Sequence, residues 1–201
     1  MYKIIGFPQT RAMRVMWLLE ELNLPYEIDP APPQSEGIRA VNPSGKVPAL
    51  MVDGTVITES VAICTYLADK HGQFTFPAGT IERAQQDSFT QFAVDVLEGA
   101  LWTAAKNSFI HPKDVRVPEV KDVCKLEFDR GLETLEKRLG DGPYMMGETF
   151  TIADIILGHC SGWAVVAKFN MPNEGPVYDY FKRLRARPGY KAMKAKVEAA
   201  K

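Results

Sequence analysis

Asn42-Pro43-Ser44-Gly45-Lys46-Val47-Pro48-Ala49-Leu50, followed eleven residues after Pro48 by Glu59-Ser60, is the stretch on which the fold turns. A proline behind a β-branched residue, at the head of an apolar strand, is a candidate cis peptide. Even X-Pro bonds adopt that form rarely, and folds select it for tight turns. Such a turn leaves the Val47 N–H and C=O facing a cleft in place of a ladder partner, ready to pair with an extended peptide. Glu59-Ser60 opens a helix, and a helix N-terminus favours a carboxylate through its dipole and its unpaired N–H groups. Together these features point to a peptide-sized, anionic, amine-bearing ligand.

Working outward, residues 2–5 read as a short strand stopped by Gly6-Phe7-Pro8. From Thr10 to Leu22 the apolar residues Met13, Trp17, Leu18 and Leu22 fall at helical spacing, and Asn23 ends the run. Residues 25–29 form a second strand, 30–35 a proline-rich loop and 36–41 a short irregular helix. Pro48–Val52 is a strand, Asp53-Gly54 a hairpin signal and Thr55–Thr58 its return. Glu59 to Lys70 is helical, with His71-Gly72 as its stop. The order is βαβαββα, an α/β layer over a mixed sheet. Strand signals then vanish. Helical periodicity runs through 82–108, 116–139, 152–168, 175–186 and 188–198, broken by prolines and by Gly140-Asp-Gly-Pro143. The expected division is an α/β domain over 1–76, a linker over 77–81 and an all-α domain over 82–201.

Bulk properties narrow the function. The 201 residues are 46% hydrophobic and 24% charged, with a net charge of −1, which is ordinary for a globular protein and gives no case for nucleic acid or an anionic membrane. No apolar run reaches about 18 residues, so no membrane span is expected. The first twenty residues lack the pattern of a signal peptide. Three widely spaced cysteines (Cys64, Cys124, Cys160) and three histidines (His71, His111, His159) show no ligand spacing. The expectation is reduced, buried thiols in a cytoplasmic protein, and no metal.

Five pieces of the chain, taken in order, resemble the glutathione transferase family over its whole length. They are Gly6-x-Pro8-x-Thr10-Arg11 leading into Arg14-Val-Met-Trp-Leu-Leu-Glu-Glu-Leu22; Asn42 to Leu50; Glu59-Ser60-x-Ala-Ile-x-x-Tyr-Leu67; and Phe150-Thr-Ile-Ala-Asp154. The resemblance is to cytosolic, bacterial-type members with a serine- or threonine-like active site, and assigns no class. It implies a thioredoxin-like N-terminal domain followed by an all-α helical domain.

Carried over by position, the resemblance implies that Val47, before Pro48, pairs backbone to backbone with the cysteinyl unit of glutathione as a short β-augmentation. Ser60 holds the γ-glutamyl carboxylate, Glu59 faces the α-amino group, and Lys46 lies near the glycine carboxylate. The tyrosine-type catalytic position is Phe7, which has no hydroxyl. The serine-type position is Thr10, whose hydroxyl is able to donate to the thiolate, with Arg11 as a neighbouring positive charge. The implied enzyme uses glutathione as co-substrate, activates it as a thiolate against a small hydrophobic electrophile, needs no metal, and works as a homodimer in cytoplasmic detoxification. Two alternatives stand beside it: a binding module of the same fold without turnover, and a glutathione-dependent isomerase, dehalogenase or peroxidase.

Plainer readings apply to several of these residues. Thr10 is also an ordinary helix cap. A Glu-Ser pair at a helix start is commonly a solvated first turn, and Lys46 a solvated lysine. Thr151-Ile-Ala-Asp154 has the spacing of a capping box with Asp in place of Glu, and is read as structural. Cys64, one turn after Ser60, is read as core, as are Trp102, Phe109, Trp163 and Phe169.

Overall fold

Four strands, β1 (Tyr2–Ile5), β2 (Tyr26–Asp29), β3 (Ala49–Val52) and β4 (Thr55–Thr58), pair in the order β2-β1-β3-β4 in the computed structural model, which describes residues 1–200. β1 and β2 run parallel, with Tyr2 opposite Tyr26; β1–β3 and β3–β4 are antiparallel, with Ile5 opposite Ala49 and Ala49 opposite Thr58. The parallel pair is joined by α1 (Ala12–Glu21), and α2 (Glu36–Arg39) and α3 (Ser60–His71) complete the expected βαβαββα order.

The chemistry of these residues accounts for the layers. Side chains alternate across a strand, so Ile4 and Ile5 bury on opposite faces. On one face α1 and α3 contribute Val15, Met16, Leu18, Leu19, Ile63, Cys64 and Leu67, all buried. On the other, Ile5 and Ala49 form a core with Ala31 and Ile38, against which Val41, Val47, Met51 and Val56 pack. Asp53 and Gly54 make the hairpin turn with positive φ at both residues, and Gly72 closes α3 in the left-handed conformation.

After Thr80, whose hydroxyl accepts the Arg83 N–H at 3.2 Å, a continuous helix runs to Ile110. It comprises α4 (Ile81–Phe92), a wider π segment over Ala93–Glu98, α5 (Gly99–Ala105) and a second π segment over Lys106–Ile110. Then come α6 (Val120–Arg138), α7 (Ile152–Val166), α8 (Pro176–Ala186) and α9 (Pro188–Ala199). The long helix packs on α6 and α7. Gly131 sets the α6 contact, because a Cβ there would lie 2.7 Å from Leu97 Cδ2. α7 is nearly all buried and starts at the expected capping box. Thr151 N–H donates to Asp154 Oδ2 at 2.8 Å, and the Thr151 side chain accepts the Asp154 N–H.

Contacts divide the chain differently from its linear order. One compact unit is Met1–Ala78 together with the segment from Arg185 onward; the other is Gly79–Leu184. α9, the last helix of the expected all-α domain over 82–201, lies against α1 in the first unit. Arg187 grips Glu21 with two bonds (2.9 and 2.7 Å), Tyr190 meets Trp17 edge-on at 4.9 Å, and Gly189 leaves room for the Glu21 side chain. The expected linker at 77–81 also shortens, since Ile81 is already helical and Thr80 its cap. No helix among the described residues is long and apolar enough to cross a membrane.

Candidate functional site

The site is built in the first unit, beginning with Asn42. Its buried side chain organises the loop: Oδ1 accepts the Ser44 N–H (3.2 Å) and hydroxyl (2.8 Å), and Nδ2 donates to the Lys46 C=O at 2.8 Å. Asparagine serves here because it offers an acceptor and a donor on one short side chain. The loop delivers Val47 with its backbone open. Among the described residues neither its N–H nor its C=O makes a hydrogen bond. The Val47–Pro48 bond is cis, as the sequence pattern leads one to expect.

Gly6 brings the segment after β1 onto this loop. At φ +154° a Cβ on Gly6 would approach Val47 Cβ to 3.1 Å and Pro48 Cα to 3.3 Å. Only a residue without a side chain lets the two backbones lie this close. The chain then turns through Thr10, two residues before α1 begins. Thr10 C=O accepts the Met13 N–H at 3.0 Å; its hydroxyl donates to the Phe7 C=O at 2.6 Å and accepts the Ala12 N–H at 3.2 Å. A hydroxyl has one proton. In this conformation that proton is spent on Phe7, so Thr10 acts as a turn and helix-start residue. Gln9 ties the same segment to α9 by donating from Nε2 to the Val197 C=O at 3.1 Å.

The start of α3 forms the third part. Glu59 C=O accepts the first helical bond, from the Ile63 N–H at 2.9 Å, leaving the Ser60, Val61 and Ala62 N–H groups without an intrahelical acceptor. No side chain among the described residues caps them. Glu59 itself is exposed, at φ 67° and ψ 114°. A non-glycine residue held there carries roughly 1–3 kcal/mol of backbone strain. Ser60 is buried, and its Oγ accepts from the Arg14 guanidinium at 3.2 Å. Arg14 lies on α1 and is itself 1% exposed. Nothing in the spacing of Arg14 marked it for a role; only its charge, on the buried stripe of an amphipathic helix, was a signal.

Lys46 is exposed and its ammonium makes no ion pair among the described residues, while its N–H donates to Ser44 Oγ at 3.3 Å. Cys64 is fully buried, and burial pushes its thiol up to about 12, with the Arg14 charge pulling the other way. A thiol so placed is no nucleophile at neutral pH. Cys124 and Cys160 are likewise buried and unbridged. Phe169 is core, edge-on to Phe128 at 5.3 Å; Phe109 is exposed; Trp102 and Trp163 meet edge-on at 6.3 Å, half-buried. No group of three or more His, Cys, Asp or Glu among the described residues is arranged to hold a metal ion.

The first class the geometry defines is a thioredoxin-like α/β unit with an open backbone edge and an open helix start, in a chain that continues as helices. Comparison with known proteins is more specific. Residues 10–70 match the family model of the glutathione S-transferase N-terminal domain, and residues 118–195 that of the glutathione S-transferase C-terminal domain. The chain is 30% identical over 152 residues to glutathione S-transferase GstA of Escherichia coli O157:H7, covering 74% of this chain and 72% of that one. The crystal structure of a glutathione transferase from Methylococcus capsulatus superposes with a TM-score of 0.83 at 26% identity, over 99% of this chain and 100% of that one. That of the glutathione transferase URE2P6 from Phanerochaete chrysosporium, in complex with oxidized glutathione, does so with a TM-score of 0.85 at 25% identity, over 100% and 97%. The chain belongs to the glutathione S-transferase family.

Proposed function

We propose that this glutathione transferase holds glutathione in an extended form between Val47 and the start of α3, and presents its sulfur to the turn at Thr10. The observation that carries this reading is the pairing of an unsatisfied Val47 backbone with an uncapped, Ser60-led helix start in one unit. Val47 pairs with the cysteinyl backbone. Ser60, through its hydroxyl and N–H, takes the γ-glutamyl carboxylate where the dipole favours negative charge. Glu59 faces the α-amino group and Lys46 the glycine carboxylate.

For chemistry, the thiol proton leaves to solvent, the thiolate attacks an electrophilic carbon of a small hydrophobic substrate, a C–S bond forms, and the leaving group departs. Lowering the thiol pKa by about two units requires about 2.7 kcal/mol of preference for the anion. A charge-assisted hydrogen bond from Thr10 supplies roughly 1.5–3 kcal/mol, but the hydroxyl must first leave Phe7, giving up roughly 0.5–1.5 kcal/mol. Thr10 is thus worth about one pKa unit. The α1 dipole, about 0.3–1 kcal/mol, and the Arg11 charge supply the remainder. The same reading makes the protein a cytoplasmic, homodimeric detoxification enzyme, with light scattering as the check on its assembly.

A second reading, a glutathione-binding module without turnover, is favoured by one observation. The Thr10 proton is already committed to Phe7, and Phe7 offers no hydroxyl of its own. Retention on glutathione resin together with conjugation of an aryl halide decides between them. The transferase reading expects both, and retention without turnover supports the module. In the transferase, Thr10→Val raises the pKa of bound glutathione by about one unit, followed by thiolate absorbance against pH. An unshifted titration removes Thr10 from the mechanism.

A further inference from the structure

We propose that Arg14 is a positioning residue for the ligand carboxylate, acting through Ser60 from inside the fold. The inference rests on the glutathione reading above and adds to it a residue that touches no ligand. Arg14 projects from α1 toward the start of α3, is 1% exposed, and donates from a guanidinium nitrogen to Ser60 Oγ at 3.2 Å. A serine hydroxyl has one proton and two acceptor lone pairs. With one lone pair filled from the interior by an N–H donor, the hydroxyl is oriented. Its own proton has no acceptor among the described residues and is left to donate outward, beside the unpaired N–H groups of Ser60, Val61 and Ala62.

Arg14 therefore does two things. It selects the Ser60 rotor state that donates, and it places a permanent positive charge behind a helix start that already attracts anions. The same charge faces Cys64 one turn further along α3, where it opposes the upward push of burial on the thiol. No capping side chain substitutes for it, since none among the described residues bonds the start of α3. A donor arriving from the solvent side would compete with the ligand. One arriving from the core does not.

The test is a comparison of two ligands by calorimetry on the full chain: glutathione, and 4-aminobutyryl-cysteinyl-glycine, which lacks only the γ-glutamyl α-carboxylate. The wild type is expected to prefer glutathione by roughly 10- to 100-fold, the range of one charge-assisted hydrogen bond. Arg14→Met is expected to cut that preference about tenfold while leaving affinity for the truncated ligand unchanged. In a Ser60→Ala background the same substitution should change the preference less than about threefold, because the hydroxyl it orients is gone and only its charge still acts on the carboxylate. Equal weakening of both ligands, or an undiminished preference, overturns the proposal and leaves Arg14 a packing residue. Should Arg14→Met not fold, Arg14→Lys decides: its shorter reach loses the bond to Ser60, so an unchanged preference overturns the proposal and a reduced one supports it. Wild-type protein that binds neither ligand overturns the glutathione reading itself, a distinct outcome.

Discussion

The chain starts two of its helices with a hydroxyl and a carboxylate close together, and uses them in opposite ways. At α7, Thr151 and Asp154 satisfy each other's backbone, and Asp154 also accepts the Met145 N–H at 3.0 Å and the Tyr180 hydroxyl at 2.8 Å. Every acceptor is used, and the carboxyl is fully buried. At α3, Glu59 and Ser60 leave the first N–H groups open; Glu59 stays exposed at a strained φ, and the one side-chain bond at Ser60 comes from behind. The closed terminus satisfies its own donors, whereas the open one leaves its first N–H groups without a partner among the described residues. Residue type does not separate them. What does is whether the carboxylate sits at N3, where it reaches back to the cap, or at the cap itself, where it cannot.

Removing the closed terminus has the largest expected effect. Asp154→Ala orphans the Met145 and Thr151 N–H groups and the Tyr180 hydroxyl in a dry interior, at roughly 1–3 kcal/mol each. A total loss of at least about 3 kcal/mol should appear in urea denaturation, with the glutathione affinity of the folded protein unchanged. Ser60→Ala shifts the loss toward the ligand: affinity falls by about 1.5–3 kcal/mol in calorimetry, while stability falls by about 1–3 kcal/mol because the buried Arg14 guanidinium loses an acceptor. If it unfolds the protein instead, the open terminus was structural after all.

Glu59→Gly sharpens the contrast further. Relief of the positive φ, less the added freedom of the unfolded chain, should raise stability by about 0.5–1 kcal/mol while weakening glutathione. The smallest effect is one of pH. Burial holds the Asp154 carboxyl above its ordinary range, against the bonds from Met145, Thr151 and Tyr180. The folded state thus binds its proton more tightly than the unfolded state. Its contribution is fully present below the unfolded pKa and is lost as pH rises through the folded one. Wild type should therefore gain stability relative to Asp154→Asn as pH falls below neutral; a parallel pair of curves would contradict the shift.

Much of this was legible in the residues. The period of Met13, Trp17, Leu18 and Leu22 sets α1, Asp53-Gly54 its hairpin, Gly72 the end of α3, and Thr151 with Asp154 the start of α7, because each depends on atoms a few positions apart. The boundary between units was not legible. α9 has the same helical pattern as its neighbours, and its allegiance to α1 rests on Glu21 meeting Arg187 and Trp17 meeting Tyr190. Thr10 was legible as both cap and catalyst, and the resting position of its hydroxyl, on Phe7, appears only in three dimensions.

By itself, then, the order of residues determined the elements, the mixed sheet, the turn ahead of Pro48 and the start of α3. Periodicity, turn chemistry and capping are local and act within a turn or two. Tertiary structure alone decided that Arg14 stands behind Ser60, 46 positions away, and that Val197 anchors Gln9 across 188. A hydrogen bond acts over about 3 Å of space regardless of chain separation, so only the packed fold selects which distant groups it joins.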